Sequence, residues 1–345
     1  MAGRLFCVGS YTQGNGGARP GITVLRENAR SGALDRVQEL DLPDCSWLAW
    51  HPRLPVVYAV NERAEGTVTA VELNADGTRA AVLGTVPTGG AEPCHLVVTP
   101  DARHLLAANY GSGSAAVIAL DDRGAPTARR DLAEHSGSGP VADRQEGPHA
   151  HMITLDAAGT LVTVTDLGSD TLWSYRLSPA GTLERVAAGP LPAGTGPRQL
   201  IRPGTGSRAY VVAELAAGLL TVAEETPGVF SVLGSAPASR RPDANMPAQF
   251  SLSPDGHFGF LSNRGPDTIS VFDLTGGSAV PVAEYALNAA WPRHFAVAGD
   301  RLYVAAQQAD AVVVLTLAPA TGVLRESHRL TVAAPACVAP EPMRA

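Results

Sequence analysis

The chain has 345 residues, 45% hydrophobic and 5% aromatic, with 36 Gly, 27 Pro and a formal net charge of −7. All 26 basic residues are Arg, since no Lys occurs. That inventory excludes Schiff-base and lysine-base chemistry, argues against a basic nucleic-acid surface, and leaves any anion to Arg forks, backbone N–H groups or His. No apolar run approaches the roughly 18–20 residues of a membrane span, and the N-terminus enters a strand with no charged-then-apolar leader. A cytoplasmic protein with no membrane partner is expected. Cys7, Cys45, Cys94 and Cys337 form no metal or redox motif and read as buried free thiols.

In chain order, residues 4–40 supply three predicted strands, RLFCVGSYT, GITVLRE and LDRVQEL, with no opener before them. Seven short openers come next, each led by Pro. They are PDCSWL from Pro43, PCHL from Pro93, PHAH from Pro148, PRQL from Pro197, PAQF from Pro247, PRHF from Pro292 and PACV from Pro335. Neighbouring prolines lie 50, 55, 49, 50, 45 and 43 residues apart. A period in the forties or fifties containing only strands is the signature of propeller blades.

The first six openers lead into one repeated unit. A turn, often Pro-Asp (Pro100-Asp101, Pro254-Asp255), precedes an apolar second strand such as VVYAVNE to Glu62, HLLAANYG to Gly111 or AYVVAEL to Leu215. Third strands such as TVTAVEL and TISVFDL come after it, most with the period-2 alternation of a half-buried strand, and a fourth strand completes the blade. The last opener, Pro335 to Val338, has no blade after it, just as residues 4–40 have no opener before them. The C-terminal strand is therefore expected to complete the N-terminal blade, closing an all-β, seven-bladed propeller without open edges. The repeat leaves no room for a linker, so 1–345 reads as one domain. The stretch 121–147, Gly/Ser-rich at HSGSGPVADRQEG, is a long connection into His149; a lid over the mouth and a mobile surface loop fit it equally.

Propeller topology brings the openers and the second-strand ends to one mouth of the central channel. The candidates there are Tyr11, Asn61, Glu62, His95, Asn109, Tyr110, His149, His151, Arg198, Glu214, Gln249, Asn263, Arg264, Arg293, His294 and Gln307. Purely structural openers do not need four His and three Arg. His149 and His151 are two apart and share a strand face. They read as a general acid/base with a second substrate contact, or as hydrogen-bonded structural imidazoles; no Asp or Cys stands at ligand spacing for a metal. Arg198 and Arg264 fit bidentate capture of a carboxylate or phosphate, or bracing of the channel by bonds to carbonyls of the next blade. Glu214 ends an apolar strand, where a carboxylate needs a partner and an Arg across the channel supplies one. Three roles are open to it: orienting His149, acting as base, or serving as the counter-ion of Arg198. The Gly-rich run from Asn109 to Ser114 precedes no helix and reads as a turn rather than a phosphate cradle, and Ser10 lacks a nucleophile-elbow motif.

The runs GSYT (9–12), YAVNE (58–62), EPCHLVVTPD (92–101), LLAANYGSGS (105–114), GSGP…RQEGPHAH (137–151), GPRQL (196–200), SPDG (253–256), LSNRG (261–265) and WPRHF (291–295) span the chain in order. Together they resemble the seven-bladed propeller lactonases, which include bacterial 6-phosphogluconolactonases and fungal carboxy-cis,cis-muconate cyclases. The resemblance implies a catalytic set of one His, two Arg and one Glu, matched by His149 in GPHAH, Arg198 in GPRQL, Glu214 in VVAEL and Arg264 in SNRG. Tyr11, Glu62, His95, Asn109, Tyr110, Arg144, His151, Gln249, Arg293 and Gln307 are the expected substrate contacts. One departure stands out: the family usually carries an acidic residue in the opener before SPDG, where this chain has Gln249.

The expected function is a lactonase acting without metal or cofactor on a small anionic substrate, foremost 6-phospho-D-glucono-1,5-lactone. In that reading Arg198 and Arg264 hold the anionic group and the developing oxyanion, while His149, oriented by Glu214, activates water. The same groups also suit an intramolecular muconate-type cyclisation of a dicarboxylate. A binding propeller without chemistry is the third reading, since fold alone does not imply an enzyme. A monomer or weak homo-oligomer is expected.

Overall fold

The computed structural model describes residues 3–12, 20–204 and 206–342, which are β-strands and turns apart from one 3-10 turn at Gln307–Ala309. The strands form seven four-stranded antiparallel sheets. Blade 1 runs Pro335–Pro340, Leu5–Ser10, Ile22–Glu27, Leu34–Leu40 from the channel outward. Blades 2 to 5 begin with the inner strands Leu48–Trp50, Pro93–Val98, Ala150–Leu155 and Pro197–Ile201. Blades 6 and 7 begin with Met246–Leu252 and Pro292–Ala298. Inner strands of consecutive blades touch all the way round, including blade 7 against blade 1.

Ring closure has the expected pairing. Phe6 faces Pro340, Val8 faces Val338 and Gly9 faces Cys337 in antiparallel register. The seven described hydrophobic clusters each fill one blade interface. At the closing interface Phe6 and Val8 pack on Tyr303 and Ala305, with the Phe6 and Tyr303 rings 4.4 Å apart. Closure is thus made twice, by main-chain hydrogen bonds within blade 1 and by apolar burial against blade 7.

Two features depart from the sequence expectation. The third strands are buried on both faces rather than alternating: Ser114–Leu120 is buried at its first six positions. Each blade is sandwiched between two neighbours, so solvent is reached mainly by the outermost strands, such as Ala80–Pro87, whose residues are half-buried or exposed. The stretch 121–147 is also not one long connection, because Pro126–Glu134 forms the outer strand of blade 3. Residues 135–147 then dock on blade 4. The buried His135 side chain donates from Nδ1 to Asp166 Oδ2, 2.6 Å away, and stacks on Trp173 at 5.0 Å. Gln145 Nε2 donates to the Leu167 carbonyl and to Asp170 Oδ1, each at 2.8 Å. At Gly168 a Cβ would come within 1.9 Å of the Gly147 carbonyl, so glycine there permits this approach.

All four cysteines are buried and unpaired. No helix among the described residues is long and apolar enough to cross a membrane.

Candidate active site

Strand parity decides which residues face the mouth. Opener residues Pro93, Ala150, Pro197, Pro247 and Pro292 pair with Asn109, Asp166, Ala213, Asn263 and Ala306 at the ends of the second strands. Side chains alternate along a strand, so these paired residues face the blade interior. Asn61, Asn109 and Asn263 are accordingly buried and bind blade groups: Asn109 Nδ2 donates to Ser114 Oγ at 3.0 Å, and Asn263 Nδ2 to Thr268 and Ser270. Asn109, expected as a substrate contact, is thus a turn-bracing residue. The next residues along, Tyr11, Glu62, Tyr110, Glu214, Arg264 and Gln307, turn towards the mouth.

The openers add a second ring. The pairing register slips at the openers of blades 3 to 7, between Pro93 and His95, Ala150 and Met152, Pro197 and Gln199, Pro247 and Phe250, and Pro292 and His294. Such bulges re-aim side chains. Arg198 with Gln199, and Arg293 with His294, consequently line the channel as adjacent pairs.

Glu214 is the hub of the site. It is buried, and Oε2 accepts from Arg198 Nη1 at 2.8 Å and Arg264 Nη2 at 2.7 Å. Oε1 accepts from Arg144 Nη2 at 2.8 Å. Burial acts to raise the Glu214 carboxyl, but Arg264, Arg198, His151 and the Arg144 hydrogen bond outweigh it and hold the group well below the usual carboxylate range. Three guanidiniums around one carboxylate leave an excess of two positive charges. The arginines are held from behind. Arg198 Nε donates to the Ala248 carbonyl at 3.1 Å, Arg264 Nε to the Met246 carbonyl at 2.9 Å, and Arg264 lies 5.5 Å from the Trp291 ring. Burial pulls the Arg264 guanidinium down to about 9 against the opposing pull of Glu214, and it remains charged at neutral pH. Arg144, carried by the docked segment after blade 3, also lies 3.3 Å from the Tyr110 hydroxyl.

His149 stands at the edge of this hub, and Glu214 is not its partner. Its ring stacks on Tyr110 at 4.5 Å, so Tyr110 and Arg144 lie between it and Glu214. Nδ1 is 3.0 Å from the Tyr110 carbonyl, which can only accept; Nδ1 therefore carries its hydrogen. Nε2 faces the exposed Glu146 carboxylate, with Oε1 at 3.1 Å, so both ring nitrogens meet acceptors. The carboxylate on the His149 ring is thus Glu146, three residues upstream, while Glu214 is engaged by three guanidiniums. Asp166, buried in blade 4, fixes the His149 backbone by accepting from its N–H at 2.9 Å. Neither Glu146 nor Asp166 was singled out from sequence, although the Glu146 position inside RQEGPHAH and the polar end of LVTVTD were visible signals.

His151 takes a different role. Arg198 Nη1 donates to its Nε2 at 2.5 Å, and burial together with Arg198 keeps the imidazole neutral by pushing its pKa well below the ordinary value. Its lone pair is therefore occupied.

Deeper in the channel, Trp47 packs at a tilt on His95 at 4.1 Å and meets His294 edge-on at 4.9 Å. His95 Nδ1 accepts from the Ile153 N–H, His294 Nδ1 from Val338 and Gln199 Oε1 from Phe250. Each stitches its blade to the next. Burial first, then cationic or imidazole neighbours, pushes His95 and His294 down to about 3. Gln249 Oε1 accepts from Gln199 Nε2 at 2.6 Å, so the Gln249 side chain is joined to this layer and not to Glu214. His95 and Gln249 brace the ring. Gln307 begins the turn at the mouth, with its N–H on the Trp291 carbonyl.

On the blade 1 and 2 side, the Tyr11 hydroxyl donates to Glu62 Oε2 at 2.9 Å, and the Arg293 guanidinium lies 5.2 Å from the Tyr11 ring. A cavity of about 610 Å³ opens beside Glu62, lined also by Asp44, Arg63, Glu65 and Glu92. The mouth is therefore polarised, acidic along blades 2 and 3 and basic along blades 4 to 6.

Comparison with known proteins agrees with this fold. Residues 5–340 match the family described as "Lactonase, 7-bladed beta-propeller". A Bacillus subtilis 6-phosphogluconolactonase is 28% identical over 295 residues, covering 84% of this chain and 83% of its own. Among solved structures, a Pseudomonas aeruginosa periplasmic gluconolactonase superposes with a TM-score of 0.90 at 25% identity, covering 99% of both chains. A Lactobacillus plantarum protein superposes with a TM-score of 0.91 at 28% identity, over 99% of this chain and 100% of its own.

Proposed function

The chain belongs to the seven-bladed β-propeller lactonase family and is a carboxylic ester hydrolase, and we propose that its substrate is an anionic sugar lactone, foremost 6-phospho-D-glucono-1,5-lactone. The observation that carries this reading is the surplus of two positive charges around the buried Glu214. Guanidiniums held rigid by carbonyls and a carboxylate, in a partly desolvated mouth, are suited to stabilise negative charge that develops during reaction. In this mechanism the lactone carbonyl faces the remaining N–H groups of Arg198 and Arg264. His149 Nε2 removes a proton from water as its oxygen attacks the carbonyl carbon, and Glu146 accepts a hydrogen bond from the imidazolium so formed. Collapse of the tetrahedral intermediate breaks the ring C–O bond, His149 returns the proton to the leaving alkoxide, and the new carboxylic acid releases its remaining proton to solvent to give the product carboxylate.

The four buried, unpaired thiols support a cytoplasmic setting, which cell fractionation with a specific antibody tests. The chemical test is a direct comparison of substrates in the presence of EDTA. Ring opening of 6-phospho-D-glucono-1,5-lactone above its spontaneous rate is expected. Turnover of an unsaturated dicarboxylate to a lactone, with no action on the phosphorylated lactone, would move the protein to a cyclase. Binding without turnover of either would leave only a binding propeller.

A further inference from the structure

Four arginines face the mouth, and one of them is unlike the others. Arg144, Arg198 and Arg264 each donate to Glu214. The fourth, Arg293, has a side chain only 17% exposed, yet among the described residues it makes no hydrogen bond. Its nearest carboxylate oxygen, Glu62 Oε2, is 4.0 Å away and is already occupied by the Tyr11 hydroxyl at 2.9 Å. A guanidinium has five N–H donors in a fixed plane, and those of Arg293 keep some access to the mouth, so they are open to an incoming acceptor. The guanidinium carbon of Arg293 lies over the Tyr11 ring, 5.2 Å from its centroid. Its position is set by the opener bulge that turns both Arg293 and His294 into the channel, alongside Arg198.

We propose that Arg293, on its Tyr11 and Glu62 shelf, is the specificity-determining residue that receives the remote oxyanion of the substrate, while Arg198 and Arg264 serve the reacting carbonyl. This inference rests on the lactone reading above for its substrate but not for its anion site. The group recognised is the two-oxygen face shared by a phosphate monoester and a carboxylate, which a planar fork meets with two parallel N–H···O bonds. The division of labour follows from saturation. Arg198 and Arg264 spend donors on Glu214, a backbone carbonyl and, for Arg198, His151, whereas Arg293 retains all of its own. Glu62 lowers the net charge of the shelf, so binding remains moderate and the product can leave.

The test uses the full-length protein with Arg293→Gln and Arg293→Lys. Both should fold, because no hydrogen bond is lost and Glu62 keeps its bond from Tyr11; thermal melting checks this. Inorganic phosphate and acetate, titrated by calorimetry, are the first probes. Arg293→Gln is expected to weaken phosphate binding by about 10- to 100-fold, and Arg293→Lys to recover only part of it. The relative loss for phosphate and acetate identifies which oxyanion the shelf prefers. The second readout is the ratio of kcat/KM for 6-phospho-D-glucono-1,5-lactone to that for glucono-1,5-lactone. That ratio should collapse by a similar factor, through KM more than kcat. Undiminished phosphate binding in folded Arg293→Gln would overturn the proposal. Loss of phosphate binding in a protein whose wild type opens neither lactone would uphold the anion site and overturn the lactone reading instead.

Discussion

Arg198 and Arg264 converge on a single oxygen of Glu214, at 2.8 and 2.7 Å, from openers and strand ends one blade apart. Two like charges approach this closely only because a carboxylate sits between them. The same contact fixes where the guanidiniums point before substrate arrives. It also leaves both arginines with N–H groups to spare for a charge that appears only during reaction, which is the condition for preorganised electrostatic catalysis.

Removing that carboxylate should therefore be costly in itself. Glu214→Gln leaves three guanidiniums around a neutral amide, and breaking a buried ion pair by deleting one partner costs about 3–5 kcal/mol. Urea unfolding followed by tryptophan fluorescence should show a clearly lower midpoint than the wild type. An unchanged midpoint would mean that Glu214 is not the ionised centre of the cluster.

Acid should weaken the protein before its carboxylates titrate. In the unfolded chain His95, His151 and His294 protonate near pH 6.5, whereas in the folded ring His95 and His294 are held at about 3 and His151 well below its ordinary value. The unfolded state thus binds more protons below that point. Their contribution is fully present above pH 6.5 and is lost as pH falls, by up to about 1.4 kcal/mol per pH unit for each histidine. Glu214 works in a separate window: its stabilisation is intact above an unfolded value near 4.3 and is lost only as pH falls through its depressed folded value. Urea midpoints should decline from pH 6.5 to 5. A flat profile across that interval would contradict the neutral, hydrogen-bonded imidazoles of the channel.

Ring closure makes its own demand. Deleting residues from 334 onward removes the inner strand of blade 1, uncovers the edge of Leu5–Ser10 and strips blade 7 of its packing on Val338. The truncated chain should aggregate or melt far below the full-length protein in differential scanning fluorimetry. A truncation that melts like the full chain would show that the C-terminal strand is dispensable.

The fold was legible because the proline-led openers punctuate the chain at blade length, and because an orphan opener at one end matches a missing one at the other. The cluster was legible in part for the same reason: topology converts position along a blade into position on the mouth. Finer placement needed information that linear pattern does not hold. Asn109 and Glu214 both stand at strand ends, but they differ by one residue of register, which sends one into a blade and the other into the channel. The opener bulges break strict alternation, so Arg198 and Gln199 point the same way although neighbours on a regular strand would not. His149 has Glu146 rather than Glu214 as its carboxylate because the segment after blade 3 docks through His135 and Gln145, a tertiary contact with no period to betray it. That docking also delivers Arg144 to Glu214.

The most direct test of the account is the initial rate of ring opening of 6-phospho-D-glucono-1,5-lactone, measured for wild type and His149→Ala side by side with EDTA present. His149 Nε2 faces only the exposed Glu146 carboxylate, which can give way to a water, whereas the His151 lone pair is held by the buried Arg198. A wild-type rate well above the spontaneous one is expected, with a loss of about 10²- to 10⁴-fold in the variant, as for removal of a general base. A variant as fast as the wild type, or a wild type no faster than buffer, would contradict it.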